Sequence, residues 1–176
     1  MNSALLIIDV QRGFFDPTPR PFEADQVVER SNQLSRRARA AGMPVIFLHH
    51  EDAADDMVPG TERWQLQRDL VREDSDAVVR KTTPDSFLRT DLGDLLSRAN
   101  VKQLVICGYA TEACIDSTTR RASALGYPVV LVADAHTTHD AKHASAALIR
   151  THHNATLGSI SFGPKIQVVS ADQVVF

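Results

Sequence analysis

Short, continuous apolar runs alternate along the chain with longer segments whose apolar residues return every three or four positions. The apolar runs, residues 4–10, 44–48, 77–79, 103–107, 128–132 and 166–169, are rich in β-branched residues and predict six strands. The amphipathic segments predict helices over residues 23–41 with Gly42 as a stop, 87–99, 112–125 with Gly126 as a stop, and 140–151. Runs that are apolar throughout, rather than at every second position, belong to strands covered on both faces. The pattern therefore predicts a three-layer α/β/α fold, Rossmann-like, with a mostly parallel six-stranded sheet in the order 3-2-1-4-5-6. With no repeat or low-complexity linker, residues 1–176 read as a single domain.

In such a sheet ligands bind beyond the carboxyl ends of the strands, so strand-end residues carry the candidate chemistry. Asp9 follows four apolar residues and is followed by Gln11, Gly13, Phe14 and Phe15. A carboxylate at the mouth of a core is placed to act as a base, although turn and cap aspartates are common. Lys81 ends the third run and precedes Thr82, Thr83 and Pro84. Most lysines are solvated, and in the expected strand order this one starts two strand spacings, about 10 Å, from the first strand. Cys114 closes Gly108-Tyr109-Ala110-Thr111-Glu112-Ala113-Cys114, a strand-turn-helix segment that places the thiol in the first turn of a helix. There unpaired N–H groups and the helix dipole favour a thiolate and could hold an oxyanion. Many cysteines are simply small core residues, so position alone leaves Cys114 between nucleophile and packing.

A chain 43% hydrophobic and 23% charged, with a net charge of −3 and thinly spread basic residues, lacks the electrostatic footprint of a nucleic-acid or anionic-membrane binder. Small molecules are the expected partners. The start, Met1-Asn2-Ser3-Ala4, lacks a basic n-region and cleavage site, and no apolar run nears the ~20 residues that cross a bilayer, so a cytoplasmic protein is expected. In that reducing setting Cys107 and Cys114 are expected as free thiols.

Taken in order, these stretches resemble the isochorismatase-like cysteine hydrolases: Ile-Ile-Asp-Val-Gln around Asp9, Val-Arg-Lys-Thr around Lys81 with Ser86-Phe87 beyond it, and the Gly108–Cys114 segment. The resemblance extends to Ala40-Ala41-Gly42-Met43-Pro44, Pro59-Gly60-Thr61-Glu62, and Leu125-Gly126-Tyr127-Pro128 leading to Asp134, and covers nearly the whole chain. It implies a catalytic triad of Asp9, Lys81 and Cys114. It also implies a non-proline cis peptide between Tyr109 and Ala110, with the N–H groups of Ala110 and Cys114 facing an oxyanion. The implied reaction is hydrolysis of a small-molecule C–N bond (amide, lactam, ureido or carbamoyl) through a thioester on Cys114, and the implied assembly is a homodimer or homotetramer. Members that cleave the vinyl ether of isochorismate do not use the cysteine, so Cys114 argues against that reaction.

Nicotinamidase members of the family carry an Asp-x-His metal motif after the second strand. Here that region reads His49-His50-Glu51-Asp52, whose neighbours on a strand end point to opposite sides, so neither a metal nor another cofactor is expected. Gln11, Phe14, Phe15, Trp64 and Phe87 are the candidate pocket residues, because binding sites are mainly apolar and aromatic with a few polar groups. Thr111 and Glu112 read as helix caps, and His139 and His143, after His136, as a solvated pair. Two other functions stay open: a thiol-redox protein using Cys114, perhaps with Cys107, and a catalytically silent binding protein on the same fold.

Overall fold

The six apolar runs pair into one all-parallel sheet in the order β3-β2-β1-β4-β5-β6 in the computed structural model, which describes residues 2–161 and 163–176. Met1, from which the leader reading starts, lies outside the described residues. The strands are β1 (Ser3–Ile8), β2 (Val45–His50), β3 (Ala77–Lys81), β4 (Gln103–Tyr109), β5 (Val129–Thr137) and β6 (Ile166–Val169). Alternation along β1 shows why the runs are apolar throughout. Leu5 and Ile7 enter one core cluster with Phe47, Val105 and Cys107, while Ala4, Leu6 and Ile8 enter another with Ile46, Leu48 and Ile106.

Helix α2 (Ala24–Ala40) covers the first cluster through Ala24, Val28, Leu34 and Ala38. The second is covered by α3 (Leu92–Arg98), α4 (Asp116–Ala124) and α5 (Ala146–Gly158) through Leu92, Leu96, Ala122 and Leu157. A short helix, α1 (Arg12–Phe15), follows β1 and is absent from the sequence expectation. Among the described residues no helix is long and apolar enough to cross a membrane.

Element ends differ from expectation where polar side chains cap the chain. Helix α3 starts at Leu92 rather than residue 87, because Asp85 takes the Phe87 N–H at 2.8 Å and Arg89 adopts a left-handed φ of 58°. Helix α5 starts at Ala146 rather than residue 140: Ser145 accepts from the Leu148 N–H, and Asp140 accepts from the Ala146 N–H at 2.7 Å. The polar stretch after Val132 continues β5, where His136 and Thr137 pair with Gly108 and Tyr109 across a register shift.

The chain between β2 and β3 folds back over the end of β1. Its carbonyls at Gln65 and Arg63 accept from the N–H groups of Arg12 and Gly13, and Gln67 donates to Val10. Met57 and Leu70 anchor it in the core.

Candidate active site

The reversal of strand order lies between β1 and β4, and the three predicted side chains meet there. Asp9 is the residue after β1, not its last, and takes a left-handed φ of 52°. Its N–H donates to the Leu48 carbonyl at 3.0 Å and its carbonyl accepts from the Gln11 N–H at 2.9 Å, which fixes the turn. Lys81 ends β3 directly beside His50 of β2. Its long side chain covers the two-strand gap and is fully buried, with Nζ 2.6 Å from Asp9 Oδ2 and 3.1 Å from the Thr83 carbonyl.

The same Nζ lies 3.2 Å from Cys114 Sγ. Cys114 sits within a single π-helical turn, Thr111–Ile115, that precedes α4, rather than in the first turn of an α-helix. Such turns are frequent at functional sites. Part of Cys114 remains exposed, whereas Cys107 lies mid-strand and fully buried; both are free thiols.

Two backbone features set the approach of β4 to β1. Gly108 has a φ of 121°, and a Cβ there would meet the Ile8 carbonyl oxygen at 2.1 Å, so only glycine fits. The next peptide but one, Tyr109-Ala110, is cis, as the family resemblance implied.

Burial, together with the Asp9 carboxylate, pushes the Cys114 thiol up to about 12, and the opposing pull of Lys81 does not reverse it. At rest, burial and the Asp9 carboxylate thus favour the neutral thiol, against the pull toward thiolate expected of the helix end. For Lys81 burial pulls downward, but Asp9 and Cys114 outweigh it and leave the ammonium above its ordinary value. Asp9 Oδ1 is buried and, among the described residues, has no hydrogen-bond partner, so this oxygen is free to accept a proton. Cys107 is likewise pushed up to about 12 by burial, so it offers no reactive second thiol.

Of the predicted pocket residues, Phe14 stacks on Tyr109 at 4.9 Å and tilts against His50 at 6.0 Å. The Tyr109 hydroxyl in turn meets His139 Nδ1 at 2.9 Å, so His139 is not half of a solvated helical pair. Gln11 is fully buried and spends its amide on backbone: Nε2 donates to the His50 and Trp64 carbonyls, and Oε1 accepts from the His50 N–H. Phe15 is core, Trp64 packs on His49 at 4.5 Å, and Phe87 stacks on Tyr127 at 6.2 Å.

Thr111 and Glu112 make no cap bond. Thr111 instead meets His136 Nδ1 at 2.9 Å, His136 Nε2 meets Asn154 at 2.9 Å, and Glu112 accepts from Thr138 at 2.8 Å, tying the π-helical turn that carries Cys114 to β5 and α5. The His49–Asp52 stretch diverges as alternation requires: His49 turns to Trp64, His50 stands within the electrostatic reach of Asp9 and Lys81, and Glu51 pairs with Arg80. Among the described residues no three His, Cys, Asp or Glu side chains gather as metal ligands. His50 is the site residue that the sequence reading weighed only as a ligand; its registry beside Lys81 is the signal that places it here.

The isochorismatase domain model matches residues 3–160. A streptothricin hydrolase of Streptomyces noursei is 41% identical over 138 residues, 78% of this chain and 50% of that protein. A ureidoacrylate amidohydrolase of Stutzerimonas stutzeri is 28% identical over 177 residues, covering 80% of this chain and 71% of that one. The crystal structure of an isochorismatase family protein superposes with a TM-score of 0.89 at 34% identity, covering 96% of this chain and 98% of that chain. The chain spans about half the length of the streptothricin hydrolases that it matches. With a domain match that runs from the first strand to beyond α5, this chain belongs to the isochorismatase-like hydrolase family.

Proposed function

We propose that the protein is a cysteine hydrolase of a small-molecule C–N bond in an amide, lactam, ureido or carbamoyl group, with Asp9, Lys81 and Cys114 as its catalytic residues. The observation that carries this reading is the position of Lys81 Nζ, 2.6 Å from a buried carboxylate and 3.2 Å from a partly exposed thiol. A lone core cysteine has no use for a fully buried ion pair beside it, since burying charge costs stability. Streptothricin hydrolase and ureidoacrylate amidohydrolase, both similar to this chain, carry names that fit hydrolysis of this type.

The neutral resting thiol sets the order of events. As sulfur attacks the substrate carbonyl, its proton passes to Asp9, so the charge moves from carboxylate to thiolate only while the C–S bond forms. Lys81 stays cationic and stabilises whichever partner is negative. The N–H groups of Ala110 and Cys114 receive the oxyanion. Asp9 then gives its proton to the departing nitrogen, the C–N bond breaks, and a thioester remains. A water that loses a proton to Asp9 hydrolyses this thioester, and the proton returns to the Cys114 sulfur.

The test is amine or ammonia release from a panel of small amides, lactams and ureido compounds by the reduced protein and its variants. Asp9→Asn should lower the rate by about 10²–10⁴-fold, the usual worth of a general base. A substrate turned over equally well by Cys114→Ala removes covalent thiol catalysis from consideration.

A further inference from the structure

A cavity of about 310 Å³ opens on the face of the sheet opposite Cys114. Phe47 belongs to the core under α2, whereas Leu48 and Val79 belong to the core against which Cys114 packs. Alternation along the strands therefore puts His49 and Val78 on the α2 side, where they line this cavity with Arg12, Trp64, Gln67 and Arg72.

The lining holds polar groups that the fold leaves unused. His49 is only 5% exposed, yet neither of its ring nitrogens has a hydrogen-bond partner among the described residues, and the buried Trp64 indole nitrogen has none. Buried polar groups are nearly always paired, so three unpaired nitrogens in two touching rings need a reason. Burial first, then the nearby Arg72, push His49 down to about 4, so its ring is neutral and offers one donor and one acceptor. The arginines divide sharply. Arg12 is bound to Glu62, and Arg68 to Glu62 and Asp16, whereas Arg72 has no ion pair among the described residues.

We propose that this cavity binds a small molecule through an oxyanion group, carboxylate or phosphate, with Arg72 supplying the charge and Trp64 and His49 the N–H donors. A guanidinium with two convergent N–H groups suits such an anion, because charge-assisted bonds are the stronger kind. The second His49 nitrogen takes a hydroxyl or N–H of the same ligand. Gln11 connects this wall to the reaction centre: its amide holds both the Trp64 carbonyl and the backbone of His50, the strand neighbour of Lys81.

The experiment follows the His49 ring and Trp64 indole signals by NMR in the full-length chain. Sodium acetate and sodium phosphate are titrated separately at constant ionic strength, with chloride as the control. The expected result is a saturable shift of both residues with acetate, phosphate or both, none with chloride, and affinity lower by about tenfold or more in Arg72→Gln, as loss of a charged hydrogen-bond partner requires. Saturation by acetate alone assigns carboxylates, and by phosphate alone phosphate esters. Shifts that grow linearly with every salt, or saturation unchanged in Arg72→Gln, overturn the proposal. Arg72 is exposed and is not among the residues proposed for catalysis, so this outcome is independent of the catalytic reading.

Discussion

The ion pair between Lys81 and Asp9 is buried almost completely, and the proposed chemistry rests on it. Replacing Lys81 by Met removes the countercharge and leaves the Asp9 carboxylate buried alone, for which about 3–5 kcal/mol of lost stability is expected, read as a lower urea midpoint. A variant as stable as the parent contradicts the pairing. The thiol makes a second prediction: with Cys114 and Cys107 both pushed up to about 12, absorbance of the native protein at the thiolate band stays flat from neutral pH to beyond the range of an ordinary thiol, ~8.5. A step near neutrality would show a resting thiolate instead. That Asp9, Lys81 and Cys114 come together was legible in the sequence because each lies where the chain leaves the sheet after an apolar run, Cys114 one turn beyond. Their protonation states were not, because desolvation depends on what packs around the sulfur. The direction of Gln11 was not legible for a related reason: residue type gives polarity and size but not direction, and its amide is consumed by backbone groups from two other segments.

At the level of elements, Gly108 governs how closely β4 meets β1 and hence where the π-helical turn that carries Cys114 begins. Gly108→Ala puts a methyl group into the Ile8 backbone at a φ that L-residues avoid. The expected outcome is loss of several-fold or more of the folded fraction at intermediate urea, corresponding to more than about 1 kcal/mol, because both strain and overlap act at one site. An alanine variant with the parent's midpoint would mean that the strand can relax without cost. The sheet itself was the most legible part of the fold. Continuous β-branched runs dictate double-sided burial, and glycines after helices marked Gly42 and Gly126 correctly as positive-φ stops. The far half of β5 was hidden because its residues Asp134, His136 and Thr137 are polar. All three find partners in distant segments, Ala171 for half-buried Asp134, and for the two buried residues Thr111 and Asn154 with His136 and Phe22 with Thr137. The π-helical turn was hidden for the opposite reason, since its composition does not differ from that of an ordinary helix start.

For the whole molecule, buried titratable groups set a stability window. His49 and His136 are both pushed down to about 4, burial being the first cause in each. Arg72 and Arg80 add to that shift at His49 while Glu51 opposes it; at His136 Arg150 and His153 add to it, against Asn154 and Asp134. Unfolded histidines protonate near ~6.5, so between that value and about 4 the unfolded chain binds more protons and stability falls as pH falls. The thiols act at the other end. Unfolded cysteines ionise near ~8.5 while the folded ones hold their protons to about 12, so stability falls as pH rises through that interval. Urea midpoints measured against pH should therefore peak between roughly 6.5 and 8.5 and decline on both sides. A midpoint that holds level down to the lower histidine value would show that these rings are not buried neutral. What no strand or helix pattern could supply at this scale is the path of the long excursion between β2 and β3, which is set by scattered side-chain to backbone bonds.

The central claim is that carbon–nitrogen cleavage passes through a covalent bond to one sulfur. It is met most directly by mixing the reduced protein with a substrate from the amide panel, quenching in acid, and locating the added mass by peptide mass spectrometry. The expected result is an acyl group on Cys114 alone, which disappears in Cys114→Ala together with turnover and accumulates when a slowly hydrolysed acyl donor is used. Steady turnover with an unmodified Cys114 at every quench time, retained in the alanine variant, would contradict it.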